Sequence, residues 1–358
     1  MNPAMSSERG ANPAPISKWR NGPTIKDVAR QVGVSHITVS RVMNGGANVE
    51  AGTAERVREA ARALGYAPNM FARGLVRGAS QHLGLLVADT TSPFIAELLR
   101  AVCAAADESG YVVNICVTGF SLVRELRALD DFIQHRVAGL VVGPAGFPES
   151  NARISELAER GIPVVAIQRE IDHPAVNMIA GDVRRGSYRA ATHLLELGHR
   201  RLGYITGTPD LRNTPEKLRG CIEALAAYNV RLDKSLVAES DFTPHGGYAA
   251  AQTLLRHPDP PTAIMAFNDT IAIGAMSAAL CAGVRVPEDL SIVGFDDAGF
   301  AAYTNPALTT VRQPIADLGR LGARTLIDAV VSPVRPVAVR MSLDCSLIVR
   351  ASTGSVRQ

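Results

Sequence analysis

Cysteine is sparse in this chain, and what there is comes unpaired. The five residues, at positions 103, 116, 221, 281 and 345, are odd in number and scattered, with no C-x-x-C pair. That spacing excludes a disulfide framework and a thiolate metal cage, and fits reduced thiols in a cytosol. Long apolar runs are missing as well. None approaches the roughly 18 residues that a membrane helix needs. The opening MNPAMSSERGANPAPISKWRNG has no apolar core of the secretory kind, and residues 1–22 read as a polar, disordered arm. Common catalytic signatures are also absent: no G-x-G-x-x-G after the first strand pattern, no P-loop, no H-E-x-x-H and no G-x-S-x-G. His193 and His199 stand six apart, a poor spacing for one helical face, and His135, His173, His245 and His257 look like loop or helix-end residues. Neither an enzyme nor a metal or cofactor site is expected.

What is present is 358 residues, 47% of them hydrophobic, enough for two or three domains with real cores. The net charge of +3 is unevenly spread. Residues 1–80 carry 11 Lys and Arg against 5 Asp and Glu, so the head is basic and the rest is mildly acidic. A basic head points to a polyanion as its partner. From about residue 82, apolar runs such as LGLLVAD, YVVNICVT, AGLVVGPA and IPVVAIQ alternate with amphipathic helical segments. Continuous apolar strands of this kind suit parallel sheets covered on both faces. A second series of the same kind starts near Gly181, so the body reads as two doubly wound α/β lobes with a cleft between them.

The head has three short helical patterns and no strand. TIKDVARQ opens with a T-x-x-D capping box at Thr24 and Asp27. The turn VGV leads into SHITVSRVMN, and TAERVREAARALG is a charged amphipathic helix closed by Gly65. Helix, glycine turn, helix is the helix-turn-helix arrangement. Ala29, Val34 and Val39 can pack the first two helices together, leaving the short polar face of the second free. Short side chains at Ser35, Thr38 and Ser40 permit a close approach to a phosphate backbone. Arg41 can reach guanine with both arms of its guanidinium, and His36 and Ile37 sit where the helix meets base edges.

TIKDVARQVGVSHITVSRVMNG resembles the head of the LacI/GalR family of bacterial transcription regulators. The likeness continues through ERVREAARALGYAPNMFARGL and, in order, SPFIAELLRAV, IPVVAIQR, HLLELGHRRLGYITG, AFNDTIAIGAM, SIVGFDD and PALTTVRQP. The resemblance implies an all-α helix-turn-helix DNA-binding head on a two-lobed, type I periplasmic-binding-protein-like core. It divides the chain into the arm (1–22), the head (23–67), a hinge helix or linker (68–80), a first lobe (81–180 plus 311–340) and a second lobe (181–310 plus 341–358), with crossings near Ala180-Gly181, Thr309-Val311 and Arg340-Ser342.

Carried over position by position, the likeness gives His36, Ile37 and Arg41 the bases of the major groove. Thr24, Ser35, Thr38, Ser40, Asn44, Thr53 and Tyr66 would contact or flank phosphates. Leu75, with Asn69 and Ala72 beside it, would enter the minor groove from a hinge that folds on DNA. An effector would lie in the cleft against Asp89, Ser92, Phe94, Gln168, Arg169, Lys217, Phe242, Asn268, Asp269 and Asp296. Two departures stand out. Glu50 replaces the family's usual serine at the start of the third helix, and Lys217 replaces an arginine. With Lys217 and Arg169 both in the cleft, the expected effector is a sugar acid or sugar phosphate. The function expected is a homodimeric, effector-controlled repressor of a carbohydrate or sugar-acid catabolic operon, bound to a pseudo-palindromic operator. The competing reading is a cytosolic small-molecule-binding protein or enzyme with a non-specific basic head.

Overall fold

The computed structural model describes residues 22–43, 49–66, 80–207, 213–332, 334 and 337–356. The chain separates into two compact units, Met1–Ala79 and Ser80–Gln358. In the first unit, α1 (Ile25–Val32), α2 (His36–Met43) and α3 (Ala51–Leu64) are each set by local chemistry. The Asp27 carboxylate accepts the Thr24 backbone N–H at 2.9 Å and the Thr24 hydroxyl at 2.7 Å, which fixes the first turn of α1. Gly33, at φ 75°, ends α1 in a left-handed conformation that a side chain would strain. Ser35 Oγ then accepts the Thr38 N–H at 3.0 Å and starts α2. Val28, Ala29, Val32, Val39, Val42 and Val57 form a small core among the three helices, with Val34 packed against it. Arg56 donates to the Val32 carbonyl at 2.7 Å and so ties α3 to the end of α1.

The second unit alternates strand and helix as its apolar pattern demands. Its first sheet uses β1 (His82–Val87), β2 (Val112–Val117), β3 (Gly139–Val142), β4 (Val164–Ile167) and β5 (Val176–Gly181). The connecting helices are α4 (Pro93–Glu108), α5 (Leu122–Gln134) and α6 (Pro148–Glu159). The second sheet uses β6 (Leu202–Thr206), β7 (Val237–Glu239), β8 (Ala263–Ala266), β9 (Ser291–Asp296) and β10 (Thr309–Arg312), linked by α7 (Val183–Glu196), α8 (Asn213–Ala227), α9 (Pro244–Leu255) and α10 (Asp269–Cys281). The chain then returns to the first lobe as α11 (Ile315–Val331) and β11 (Arg340–Leu343), and ends in the second with β12 (Ser346–Ile348). The strand orders are β11-β5-β4-β3-β1-β2 and β12-β10-β9-β8-β6-β7, parallel throughout except for β12.

Each sheet is sandwiched. In the first lobe, Leu98 and Val102 of α4 and Leu318 and Leu326 of α11 meet Leu83, Leu85, Val141 and Val165 on one face. Leu129, Phe132, Ile154 and Leu157 cover Leu140, Val142 and Val164 on the other. In the second lobe α9 and α10 touch backbone to backbone. A Cβ on Gly274 would lie 2.0 Å from the Pro244 carbonyl oxygen, so only glycine fits there.

The last crossing differs from the boundary expected near residue 341. Arg340–Leu343 pair in register with Met178–Gly181, so residues 341–343 belong to the first sheet. The Asp182 N–H donates to the Leu343 carbonyl at 2.7 Å, which extends that ladder to its end. The chain changes lobes only at Asp344-Cys345, and likewise leaves the second sheet after Arg312 rather than at 311. A ladder made with a strand some 160 residues away decides this, and no local signal carries it.

Candidate functional site

In the head, the face of α2 that does not join the core is open. Ser35, His36, Ile37 and Arg41 are exposed, and Ile37 keeps 54% of its surface although it is aliphatic. Thr38 and Ser40 are half-buried on the same helix, Thr24 is exposed at the head of α1, and Thr53 and Tyr66 are half-buried on and just after α3. An exposed isoleucine on a helix with an otherwise polar outer face suits a thymine methyl or an apolar patch of a groove floor. Glu50 makes no side-chain cap to α3; instead it accepts the Thr53 hydroxyl at 3.3 Å. Asn44, Asn69, Ala72 and Leu75, and all but the last residue of the 68–80 linker, lie outside the described residues.

In the body, the carboxyl ends of both sheets face a cleft of ≈ 90 Å³ that is open to solvent. The first lobe contributes Asp89 from the end of β1 and Ser92 and Phe94 from the start of α4, and the second contributes Lys217, Phe242, Asn268 and Asp296. Asp89 is held by an Asx turn, accepting the Thr91 N–H at 2.6 Å and the Ser92 N–H at 3.0 Å. Asn268 caps α10 through Oδ1, which accepts the Ile271 N–H at 2.8 Å, while the residue also lines the cleft.

The floor of the cleft is a buried ion pair. Lys217 Nζ lies 3.7 Å from the Phe295 ring centroid and 4.0 Å from that of Phe267, and donates to the Phe267 carbonyl at 2.8 Å. Asp296 Oδ1 stands 3.8 Å away. Burial pushes the Lys217 ammonium down, with Asp296 acting against it. Burial likewise pushes the Asp296 carboxyl up, opposed by Lys217 and by the Gln313 amide, which donates to Oδ1 at 2.6 Å. Asp296 sits at φ 102°, a strained position for a residue with a Cβ.

Three expected contacts lie elsewhere. Arg169 points back into its own lobe, 4% exposed, where its guanidinium donates to Glu125 at 2.7 Å, the Ala145 carbonyl at 2.9 Å, Ser150 Oγ at 2.8 Å and Asn151 Oδ1 at 2.8 Å. A buried guanidinium needs a buried counter-charge, and Glu125 supplies it. Arg169 therefore braces the loop of Pro144 and Ala145, which is cleft wall, and gives no charge to a ligand. This removes the second cation on which an acidic effector rested. Lys217, neutralised by Asp296, leaves no surplus positive charge among the described lining residues. Gln168 accepts the Gly181 N–H at 2.8 Å and donates to Gln313 Oε1 at 2.5 Å, behind the cleft wall. Asp269 is also turned away; it accepts the Ala298 N–H at 2.6 Å and the Thr310 hydroxyl at 2.5 Å, and burial, with Asp296 adding to it, pushes it up to about 8.

Phe120, Phe267 and Gln313 line the cleft and were not expected there. Phe267 directly precedes Asn268 at the end of an apolar strand, and Phe120 follows β2 in Gly-Phe-Ser; each position at a strand's carboxyl end is a usable signal. His193 and His199 do not meet on a metal: His193 bonds Thr353, and His199 is buried on Thr262, Ser291 and Gly354. Among the described residues, no group of three or more His, Cys, Asp or Glu could hold a metal ion.

Residues 24–69 match the family model described as bacterial regulatory proteins, lacI family, and residues 191–353 match a periplasmic binding protein-like domain. The repressor CytR of Escherichia coli is 33% identical over 340 residues, covering 94% of this chain and 98% of that protein. The chain belongs to the LacI family. The probable repressor ExuR of Bacillus subtilis is 31% identical, covering 87% of this chain and 92% of its own. Among solved structures, the Lac repressor dimer bound to operator and the anti-inducer ONPF aligns with a TM-score of 0.85 at 27% identity, over 93% of this chain and all of that one. A CelR–cellobiose complex aligns at 0.70 and 32%, over 92% and 99%. As a LacI-family protein, the chain is a helix-turn-helix DNA-binding transcriptional regulator with a two-lobed periplasmic-binding-protein-like core.

Proposed function

We propose that this regulator is a homodimeric repressor of a carbohydrate-utilisation operon, working in the bacterial cytoplasm on a pseudo-palindromic operator and controlled by a small molecule in the inter-lobe cleft. No catalytic role is assigned to it. The open face of α2 carries this reading: the helix keeps its valines in the core and puts Ser35, His36, Ile37 and Arg41 outside. Arg41 and the variable pair His36-Ile37 read bases, while Thr24, Ser35, Thr38, Ser40, Thr53 and Tyr66 meet or flank phosphate. In the same proposal residues 23–67 form the DNA-binding unit, residues 68–80 the hinge with Asn69, Ala72 and Leu75, and Asn44 joins the phosphate contacts.

In the body, Asp89, Ser92, Phe94, Lys217, Phe242, Asn268 and Asp296 hold the effector. Its control of DNA binding equals its differential affinity for two lobe arrangements. The cellobiose-bound CelR structure supports a glycosidic ligand for a cleft of this design. The test is capture of genomic fragments by the purified protein at physiological salt, followed by sequencing. A shared pseudo-palindrome beside transport or catabolic genes is the expected result. Diffuse, sequence-independent recovery, with or without added effectors, would overturn it.

A further inference from the structure

The start of α3 carries a negative charge that the head does not neutralise. Among the described residues of the head, Arg30 pairs with Asp27, and Arg58 and Arg62 pair with Glu55. Arg56 is turned onto the Val32 carbonyl at 2.7 Å. Lys26 and Arg41 are the described cations left without such a partner, and both are exposed. Glu50 is exposed too, with no described cation against it. Its carboxylate accepts the Thr53 hydroxyl at 3.3 Å and makes no cap to the helix. Against so few unpaired cations, one bare carboxylate is a large part of the folded head's charge.

The surroundings of Glu50 lean the other way. Ala51 and Gly52 are exposed, and a Cβ on Gly52 would meet nothing within 4 Å. The first N–H groups of a helix have no partner within it, and their dipoles favour an anion. Thr53, set against phosphate in the reading above, has a single hydroxyl proton, and Glu50 now takes it. A phosphate oxygen that accepted this proton instead would lie within about 6 Å of the carboxylate, the span of two hydrogen bonds through one hydroxyl oxygen. Like unit charges at about 6 Å, even at the dielectric of bulk water, weaken binding about threefold per head, and so about tenfold for a dimer seating both heads.

We propose that Glu50 is a brake on DNA affinity: its carboxylate holds the Thr53 hydroxyl and repels the phosphate that the start of α3 would otherwise seat. This rests on the reading of the head as a DNA-binding unit with Thr53 toward phosphate. The brake acts on any duplex, so it lowers the sequence-independent background and leaves base contacts to decide where the protein stays. Fluorescence anisotropy of a labelled random-sequence duplex tests it, with the full-length parent, Glu50→Gln and Glu50→Ser. Glutamine keeps the length and removes the charge, whereas serine can also cap the helix. At about 0.01 M salt both variants should bind about fivefold more tightly than the parent. The gain should shrink by about half at 0.1 M, as the Debye length falls from about 30 to 10 Å. A gain from better folding alone would appear in Glu50→Ser only and would not follow salt. Glu59→Gln, which removes another exposed carboxylate about 13 Å further along α3, should gain far less. If Glu50→Gln binds no more tightly than the parent, or if Glu59→Gln gains as much, the proposal is wrong while the DNA-binding reading stands. If neither parent nor variants bind the duplex at 0.01 M, that reading fails and takes the brake with it.

Discussion

Replacing Arg169 by methionine distinguishes a brace from a ligand contact. In the structure its guanidinium is 4% exposed, its Glu125 partner is 2% exposed, and the two meet at 2.7 Å. Removing the cation strands a buried carboxylate, a change that typically costs about 3–5 kcal/mol. It also leaves the Ala145 carbonyl, Ser150 Oγ and Asn151 Oδ1 without the donors they now face. With a urea m-value of about 3 kcal/mol/M for a body of this size, the unfolding midpoint of Arg169→Met should fall by about 1–1.7 M. The double variant Arg169→Met, Glu125→Leu should recover the part of the loss that comes from the stranded carboxylate, because no buried charge is then left unpaired. Circular dichroism in urea reads both. If the single variant stays within about 1 kcal/mol of the parent while effector binding collapses, Arg169 is a ligand cation and the brace is refuted.

The other expectations concern the two interfaces and a buried carboxyl. Arg41→Ala should weaken specific operator binding by about 1–3 kcal/mol and relax preference at one base pair. Equal losses on operator and random DNA in a mobility-shift titration would reduce Arg41 to a phosphate contact. Asp296→Ala should abolish the effector response and leave effector-free operator affinity intact; an unchanged response would move the ligand out of the cleft. Asp269, with a folded pKa of about 8 against an ordinary 3.8, holds a proton in the fold that the unfolded chain gives up. Its contribution is therefore fully present below pH 4 and declines as pH rises to 8, by at most about 1.4 kcal/mol per unit. Asp269→Asn should remove that slope between pH 5 and 8, and parallel pH profiles for the two proteins would sink the assignment.

The parts of this molecule that were legible in the sequence are those decided within a few residues. Thr24 with Asp27, Gly33 and Gly65 mark helix ends by capping and left-handed geometry, so the three helices of the head could be read directly. The alternation of apolar runs and helices likewise announced two parallel sheets. Side-chain direction at the strand ends was not legible. Gln168 and Arg169 follow β4 where a ligand contact belongs, yet Arg169 is drawn inward by a glutamate 44 residues earlier. Glu125 itself held the clue, a carboxylate on the apolar stripe shared with Ala128, Leu129 and Phe132. Phe120 was missed because its aim depends on a left-handed backbone at Gly119 and Phe120, which a Gly-Phe-Ser triplet does not announce.

The buried amides behind the cleft have a mechanical consequence. Gly181 donates to Gln168, Gln168 to Gln313, and Gln313 to Asp296, a chain running from a first-lobe strand through a crossing to a second-lobe carboxylate. These bonds lie at the crossings, where rotation of one lobe against the other displaces atoms least. They form an axle: the chain can stay bonded in open and closed arrangements alike, and so discriminates weakly between them. Contacts that tell the two arrangements apart must then act on a longer arm, and the stacked rings of Phe120 and Phe242, one from each lobe, form such a contact across the cleft.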